Sequence, residues 1–522
     1  MLKMVDGTGI IGVDMVCPLG GAVSPPQPPN YDNIEDEGVG SLVLVNSLNA
    51  PLERVELIGN SVQGENSAPD NPQEIKSCGR KSKNIFNKNA VKQGYEFGSA
   101  ASDAETAKQG WFVSDFMPVK ATTYQISGKK TGAGCKLYSK DKVFVKNIQV
   151  RFGQIKIEEG IAYFRINGEI KDLDNIQVEE GTVATDYEPY GYFFDMKVTG
   201  KNLFDMADIQ NENGKIDSDF SKAKSIKPFK VIKDRKYLLI SKGTMIADVG
   251  YSSIYFGEDD LTYGQDSSRK LTTGTGYSCF IGTEARKILV AKETCTITKT
   301  MMHGTEKVED AYEVEELGLF EIINDNPNTP YEPYTEQSVQ IALNEPLRGI
   351  GEYKDVLTKD GIVRKIYPPY EIDLNDLRDG GYLRTNTVMF SVKVQNRTVG
   401  YASLKPSIFC NIFPDCALQT SNIYNTDKEC IAVGVGIILF RVNKSRLKDT
   451  STFESAKQSF IEFMVDKKMI VEYALESPIT EPLPESVQAQ LSALHSENGT
   501  THVFVDSGEV PCGIKLTYRK EK

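Results

Sequence analysis

Side chains suited to catalysis are scarce in this chain. Its 522 residues include three histidines, His303, His495 and His502, and a single tryptophan, Trp111. So few histidines leave a Ser-His-Asp or Cys-His mechanism poorly supplied. No P-loop, no G-x-G-x-x-G after a strand, no G-x-S-x-G elbow and no H-E-x-x-H occurs. The nine cysteines (Cys17, Cys78, Cys135, Cys279, Cys295, Cys410, Cys416, Cys430 and Cys512) are sparse, odd in number and without a C-x-x-C pair. Neither a disulfide framework nor a zinc site is expected. Cys410, Cys416 and Cys430 have no histidine nearby and read as three buried or edge thiols, a usage that fits a reducing cytoplasm. No run approaches the roughly 18–20 apolar residues of a membrane span, so no membrane insertion is expected. Asp6 and Asp14 cut the apolar N-terminal run, which a signal-peptide core does not tolerate.

Positive charge is in deficit. Sixty Lys and Arg face 72 Asp and Glu, a net charge of −12. A diffuse acidic surface is wrong for nucleic acid, whose binding rests on phosphate neutralisation. The densest basic segment, Lys76, Arg80, Lys81 and Lys83, sits at an expected domain junction and reads as a solvated linker. The length suits roughly three or four domains. With 43 Gly, 24 Tyr and 23 Phe, the composition favours many turns and short aromatic-bearing strands, hence a mainly β, multidomain chain.

What is present is a motif pair that occurs twice. Lys83-Asn84-Ile85-Phe86-Asn87 opens a stretch that Asp186-Tyr187-Glu188-Pro189-Tyr190 closes, and Lys201-Asn202-Leu203-Phe204-Asp205 opens one that Pro330-Tyr331-Glu332-Pro333-Tyr334 closes. A repeat this long is a duplicated domain rather than a short solenoid unit. Strand-like segments punctuated by Gly, Asn and Asp predict a jelly-roll-like β-sandwich in each copy, over 81–198 and 199–340. The tyrosines of both closing motifs flank a Glu-Pro pair, and their recurrence points to a structural latch. Residues 1–40 read as an N-terminal docking arm with a Pro-rich spacer (Ser24-Pro25-Pro26-Gln27-Pro28-Pro29) and the acidic run Glu35-Asp36-Glu37. Residues 41–80 read as a small β segment and linker.

Residues 341–522 read as a C-terminal β-rich domain with one or two short helices. Ile431–Val442 is a nearly continuous apolar run, as in a strand buried on both faces. Ser451 and Glu454 form a capping-box pair for a helix over 451–466, with Phe453, Ala456, Phe460, Phe463 and Met464 on one face. A second helix is expected over 485–494. After Asn498-Gly499 comes a final strand pair, 502–505 and 513–518.

Candidate site residues are few. Glu179-Glu180 and Glu258-Asp259-Asp260 offer paired carboxylates of the kind a glycosidase uses. The second run could also face calcium, but it lacks the spacing of a calcium loop; both read first as solvated turns. No catalytic residue, cofactor or metal is assigned. Sugar rings pack their C–H faces on aromatic rings, and Trp111, with Tyr124 and Tyr138, is the nearest approach to such a carbohydrate-binding platform. The alternative is that Trp111 belongs to a core.

The opening K-N-L-F-D and the closing Val178-Glu179-Glu180-Gly181-Thr182-Val183-Ala184-Thr185-Asp186-Tyr187-Glu188-Pro189-Tyr190 resemble the galactose-binding-like β-sandwich modules of tail proteins from phages and prophages of Gram-positive bacteria. The second copy keeps Tyr331-Glu332-Pro333-Tyr334 without the E-x-G-x-x-A-T part. Leu347-Arg348-Gly349-Ile350-Gly351-Glu352-Tyr353-Lys354-Asp355, then Asp360-Gly361-Ile362-Val363-Arg364, is similar to the segment that follows such modules, as is the ending from Pro478 to Thr501. The resemblance implies a non-enzymatic tail-fibre, baseplate or receptor-binding protein. It would be a homotrimer in the virion tail, assembled in the host bacterial cytoplasm, with other tail or baseplate proteins and host cell-surface polysaccharide as partners. The rivals are a purely structural baseplate adaptor and a wall-polysaccharide depolymerase.

Overall fold

The computed structural model describes residues 4–6, 9–11 and 31–521, apart from 47–48, 65–66, 131–133, 150–151, 220–222, 251, 263–268, 273–283, 305, 323–327, 371–375, 381–383, 395–406, 417–426, 435 and 498. The Pro-rich spacer, Cys17, Cys279 and the strand expected at 277–280 lie outside these residues. The protein is mainly β and multidomain, as its composition predicts.

At its centre is a two-layer platform assembled from distant parts of the chain. One layer runs in the order Glu336–Leu343, Tyr192–Thr199, Gly499–Asp506, Ser41–Asn46, with Arg80–Lys81 added beside Tyr192–Thr199. The other runs Tyr31–Val39, Gly513–Glu521, Ala50–Ile58, Val356–Thr358, Gly361–Tyr370, Val471–Glu481, Ile408–Cys410. Leu44, Phe194, Ile341 and Val503 of the first layer meet Leu57, Leu357, Ile514 and Leu516 of the second in one core. Each such side chain contributes about 1.5–3 kcal/mol when buried, so the two layers stabilise each other. Leu491 and Leu494, at the end of helix α2 (Glu485–Ala493), close the core.

Three modules hang from this platform, and each leaves and returns through neighbouring strands. Module 1 leaves after Lys81, which pairs with Tyr192 on the way back. Module 2 leaves after Thr199, which pairs with Glu336. Module 3 leaves after Tyr370, which pairs with Val471. Such adjacency fixes both ends of a module, so no long linker is required.

Module 1 is a sandwich. Its five main strands run Phe144–Ile148, Cys135–Tyr138, Tyr163–Glu169, Glu105–Ser114, Val91–Phe97, and they face Gly153–Lys156, Thr123–Ser127, Gln177–Glu180. Phe112, Leu137, Phe164 and Ile166 pack against Tyr124, Ile126, Ile155 and Val178. In module 2 hydrogen bonding is continuous through eight strands, from Ile216–Ser218 at one edge to Lys224–Val231 at the other. Laid flat, eight strands would span roughly 34 Å. Asp217 on the first edge nevertheless lies 3.9 Å from Lys224 on the last, so the sheet curls around its own core. Module 3 packs the strands Arg378–Asp379, Thr387–Lys393, Ile437–Asn443 and Cys430–Gly434 on helix α1 (Phe453–Asp466), with Phe460 stacked 4.7 Å from Phe390.

Several expectations change here. Residues 41–80 and 341–522 are not separate units, because their strands share one core. Residues 31–39 are no spacer: Glu35 and Glu37 project outward from an edge strand while Asp36 accepts from the Tyr518 hydroxyl at 2.6 Å. Charges on such an edge discourage pairing with other chains. The apolar run 431–442 is a hairpin of two strands, turning at Gly436 with φ +73°. The last two strands do not pair with each other but join different layers. Helix α1 is capped one residue later than expected, by Thr452 and Ser455, because Ser451 turns back to Asp449 at 2.8 Å. Cys416 and Cys430 are joined in a disulfide, their Cα atoms 5.6 Å apart, where free thiols were expected. A parallel bridge between Asp415 and Ile431, each next to one of the two cysteines, brings them together.

Candidate functional site

The duplicated motif builds the same hydrogen-bonded latch at two necks. Asn84 and Asn202 are 2% and 1% exposed. Asn84 Nδ2 donates to the Glu188 carbonyl (3.1 Å) and the Ile176 carbonyl (3.0 Å), while its Oδ1 accepts from the backbone N–H of Phe86 (2.9 Å) and Val178 (3.0 Å). Asn202 repeats this, with Nδ2 to the Glu332 carbonyl (3.2 Å) and Oδ1 from Phe204 (3.1 Å) and Leu319 (3.0 Å). An Asn side chain carries both a double donor and an acceptor, so it can join opening strand, closing strand and closing motif at once. The carboxylates add a second tie: Arg80 to Glu188 at 2.7 Å, and Lys201 to Glu332 at 2.5 Å. Burial alone would raise the Glu188 carboxyl, but Arg80 and the Lys83 N–H hold it below its ordinary value. Gly191 ends the first neck at φ +141°, where a Cβ would fall 2.4 Å from the Leu343 carbonyl oxygen.

The motif after the second repeat is a buried ionic node of the platform. Asp355, fully buried, accepts from the backbone N–H of Arg348 (3.0 Å), Lys365 (2.7 Å) and Ile366 (3.1 Å) and from Arg364 Nη1 (3.2 Å). Arg348 in turn donates to Glu472 at 3.0 Å and Glu345 at 2.6 Å. Sequence reading flagged Arg348, Asp355 and Arg364 only as part of a resemblance. Glu472, about 110 residues beyond them in a strand of its own, carried no signal.

The three aromatic candidates are not brought together. Tyr124 lies in the module 1 core, 4% exposed, its hydroxyl accepting from the Lys120 N–H at 3.1 Å. Tyr138 is fully buried on the outer face of the five-stranded sheet, 4.8 Å from Phe116 and 6.1 Å from Phe144. The tip of the Val91–Phe97/Glu105–Ser114 hairpin folds over that face, where Lys136 donates to the Ser99 carbonyl at 2.7 Å and sits 4.5 Å over the Phe97 ring. Neither tyrosine offers a ring face to a sugar. Trp111 does reach the surface: it is partly exposed and outside the core, beside a bulge between Ala107 and Phe112. Lys108 Nζ covers one face of its indole at 3.4 Å and pairs with Glu96 at 2.6 Å, which removes that face as a stacking surface.

The acidic pairs are structural. Glu179 accepts from the Thr185 N–H (2.9 Å), the Thr185 hydroxyl (2.6 Å) and the Gln177 amide (2.7 Å). Burial opposes ionisation here, yet these donors hold the carboxyl low, so Glu179 is a fixed anion that clips the closing loop. Glu258, Glu293 and Cys295 present ligand atoms within 4.8 Å of one another, but the Lys270 ammonium lies 3.2 Å from Glu258 and 2.6 Å from Glu293. That ammonium already supplies the positive charge a metal would bring. Asp259 faces Lys299 at 3.5 Å. Burial pushes His502 down to about 4, and it lines a small crevice between platform and module 2, while His495 lies 3.8 Å from Glu497. No helix among the described residues is long and apolar enough to cross a membrane. No protein-family model, no curated protein and no solved structure matches the chain.

Proposed function

We propose that this chain is an adhesive component of the tail tip of a phage or phage-like particle of a Gram-positive bacterium, holding its modules out toward host cell-surface glycan. The observation that carries this reading is the pair of necks, each closed on a buried Asn, which fix two modules on a common platform. A rigid platform bearing several modules suits attachment, because each contact after the first becomes effectively intramolecular and weak sites add up. A homotrimer docked on other tail proteins multiplies the effect. The net charge of −12 argues against simple electrostatic capture of polyanionic wall polymers, so recognition rests on shaped surfaces and direct hydrogen bonds. Trp111 is one aromatic surface that module 1 offers, beside the exposed Phe152 and Tyr187.

The test is co-sedimentation of full-length protein with purified wall polysaccharide from a panel of Gram-positive hosts, with released reducing sugar measured in parallel. Saturable binding without sugar release is expected. Sugar release would replace the adhesin with a depolymerase. No binding to any host would leave an adaptor whose partners are other tail proteins.

A further inference from the structure

A polar cleft of about 390 Å³ opens where the platform meets the hairpin strands Ser61–Gln63 and Ile75–Ser77. Its size falls within the roughly 300–1,000 Å³ of small-molecule sites. Arg348 and Glu472 line it, each side chain 3% exposed, with Arg348 Nε donating to Glu472 Oε1 at 3.0 Å. The second carboxylate oxygen, Glu472 Oε2, is buried and has no hydrogen-bond partner among the described residues. A buried carboxylate oxygen left in this state costs free energy until a donor reaches it. Burial also pushes the Glu472 carboxyl above its ordinary value, against the pull of Arg348.

The rest of the lining says what kind of donor fits. Arg80 is committed to Glu188 (2.7 Å) and Asp195 (3.5 Å), and Lys76 is paired with Glu509. The rim cations are therefore largely matched, and the cleft calls for neither a strong anion nor a strong cation. Tyr192, half-buried, supplies an aromatic wall, and Lys81 an exposed donor. A hydroxyl that donates to Glu472 while a neighbouring oxygen accepts from Lys81 or Arg348, on a ring whose C–H face lies on Tyr192, satisfies these groups together.

We propose that this cleft is a binding site for one residue of a neutral saccharide, with Glu472 as the buried hydroxyl acceptor and Tyr192 as the stacking wall. The proposal rests on the glycan-binding reading above and gives it a site on the platform, separate from Trp111. The test is ligand-observed NMR on the full-length protein with glucose, galactose, rhamnose and N-acetylglucosamine, and with glucuronate as the charged control. Saturable binding of at least one neutral sugar in the millimolar range, and weaker binding of glucuronate, is expected. Glu472→Gln should weaken it about tenfold or more, as loss of a charge-assisted hydrogen bond does. Because Glu472 also holds Arg348, Glu74→Trp serves as a second variant: it fills the exposed rim, leaves the ion pair untouched and should abolish binding, while Lys448→Ala, on the exposed surface of module 3, should leave it unchanged. Sugar binding that survives both cleft variants would overturn the site while leaving the adhesin reading standing. No saturable binding of any neutral sugar would overturn it as well; the polysaccharide sedimentation then decides whether the adhesin reading falls with it.

Discussion

Replacing Asn84 by Ala removes the centre of the first neck and leaves four backbone groups without their partners: the Phe86 and Val178 N–H and the Ile176 and Glu188 carbonyls. Each hydrogen bond is worth about 0.5–1.5 kcal/mol net, and more where the abandoned group stays buried. Four of them sum to about 4 kcal/mol. The homologous Asn202→Ala breaks three and should cost about 3 kcal/mol. A multidomain chain does not unfold in one step, so the suitable assay is native-state hydrogen exchange, which reads openings region by region. Asn84→Ala should raise exchange in module 1 strands roughly 700-fold, since 1.4 kcal/mol is tenfold. Module 2 should keep its protection, and the reverse should hold for Asn202→Ala. Unchanged protection in module 1, or equal loss in both modules, would refute the latch.

Trp111→Ala should cost about 1 kcal/mol or less in stability, since the side chain is outside the core and loses chiefly its Lys108 contact. It should weaken polysaccharide binding nonetheless, and because Trp111 is the sole tryptophan, a glycan-induced shift in intrinsic fluorescence reports directly on that ring. The Glu188 carboxyl is held below the ordinary Glu value of about 4.3. It therefore stabilises the neck above that pH and stops doing so as pH falls through its depressed folded value; thermal scans from pH 6 to pH 3, at roughly these settings, should show a loss on acidification that Glu188→Gln reduces. Replacing Cys416 and Cys430 by Ser opens a loop of sequence separation 14 and should destabilise module 3 by about 3 kcal/mol, read by hydrogen exchange, with modules 1 and 2 unaffected. Asp355→Ala leaves three buried backbone N–H groups without their acceptor, while Arg364 keeps Glu481 and the Pro346 carbonyl, and should cost about 3–5 kcal/mol of platform stability, read by hydrogen exchange.

Local features of this fold were readable from sequence because their causes are local. The amphipathic spacing of Phe453, Ala456, Phe460 and Met464 does produce one buried helix face. The recurrence of K-N-x-F with Y-E-P-Y does mark a latch, although the residues that close it are Asn and Glu rather than the tyrosines. Pairing between distant strands was not readable. Ala50–Ile58 and Gly513–Glu521 are neighbours across more than 450 positions, and nothing in either strand's alternation names the other. From sequence the platform therefore reads as a linker at one end and a domain at the other. The same blindness affected the candidate site. Tyr124 and Tyr138 sit in strands whose outward positions look exposed, but a facing layer covers one and a folded-over hairpin tip the other. Glu472 acquires its setting only through folding, which places it against Arg348.

The modules are inserted into a platform that should stand without them. Because Lys81 and Tyr192 are paired neighbours, excising residues 83–190 and bridging the gap with a short turn should leave the platform intact. The direct measurement is hydrogen exchange of the excised protein. Protection retained throughout Ser41–Asn46, Ala50–Ile58, Gly499–Asp506 and Gly513–Glu521 is the predicted result. Loss of protection across those strands would mean that module 1 is part of the platform's own fold, and the account of a display scaffold would be wrong.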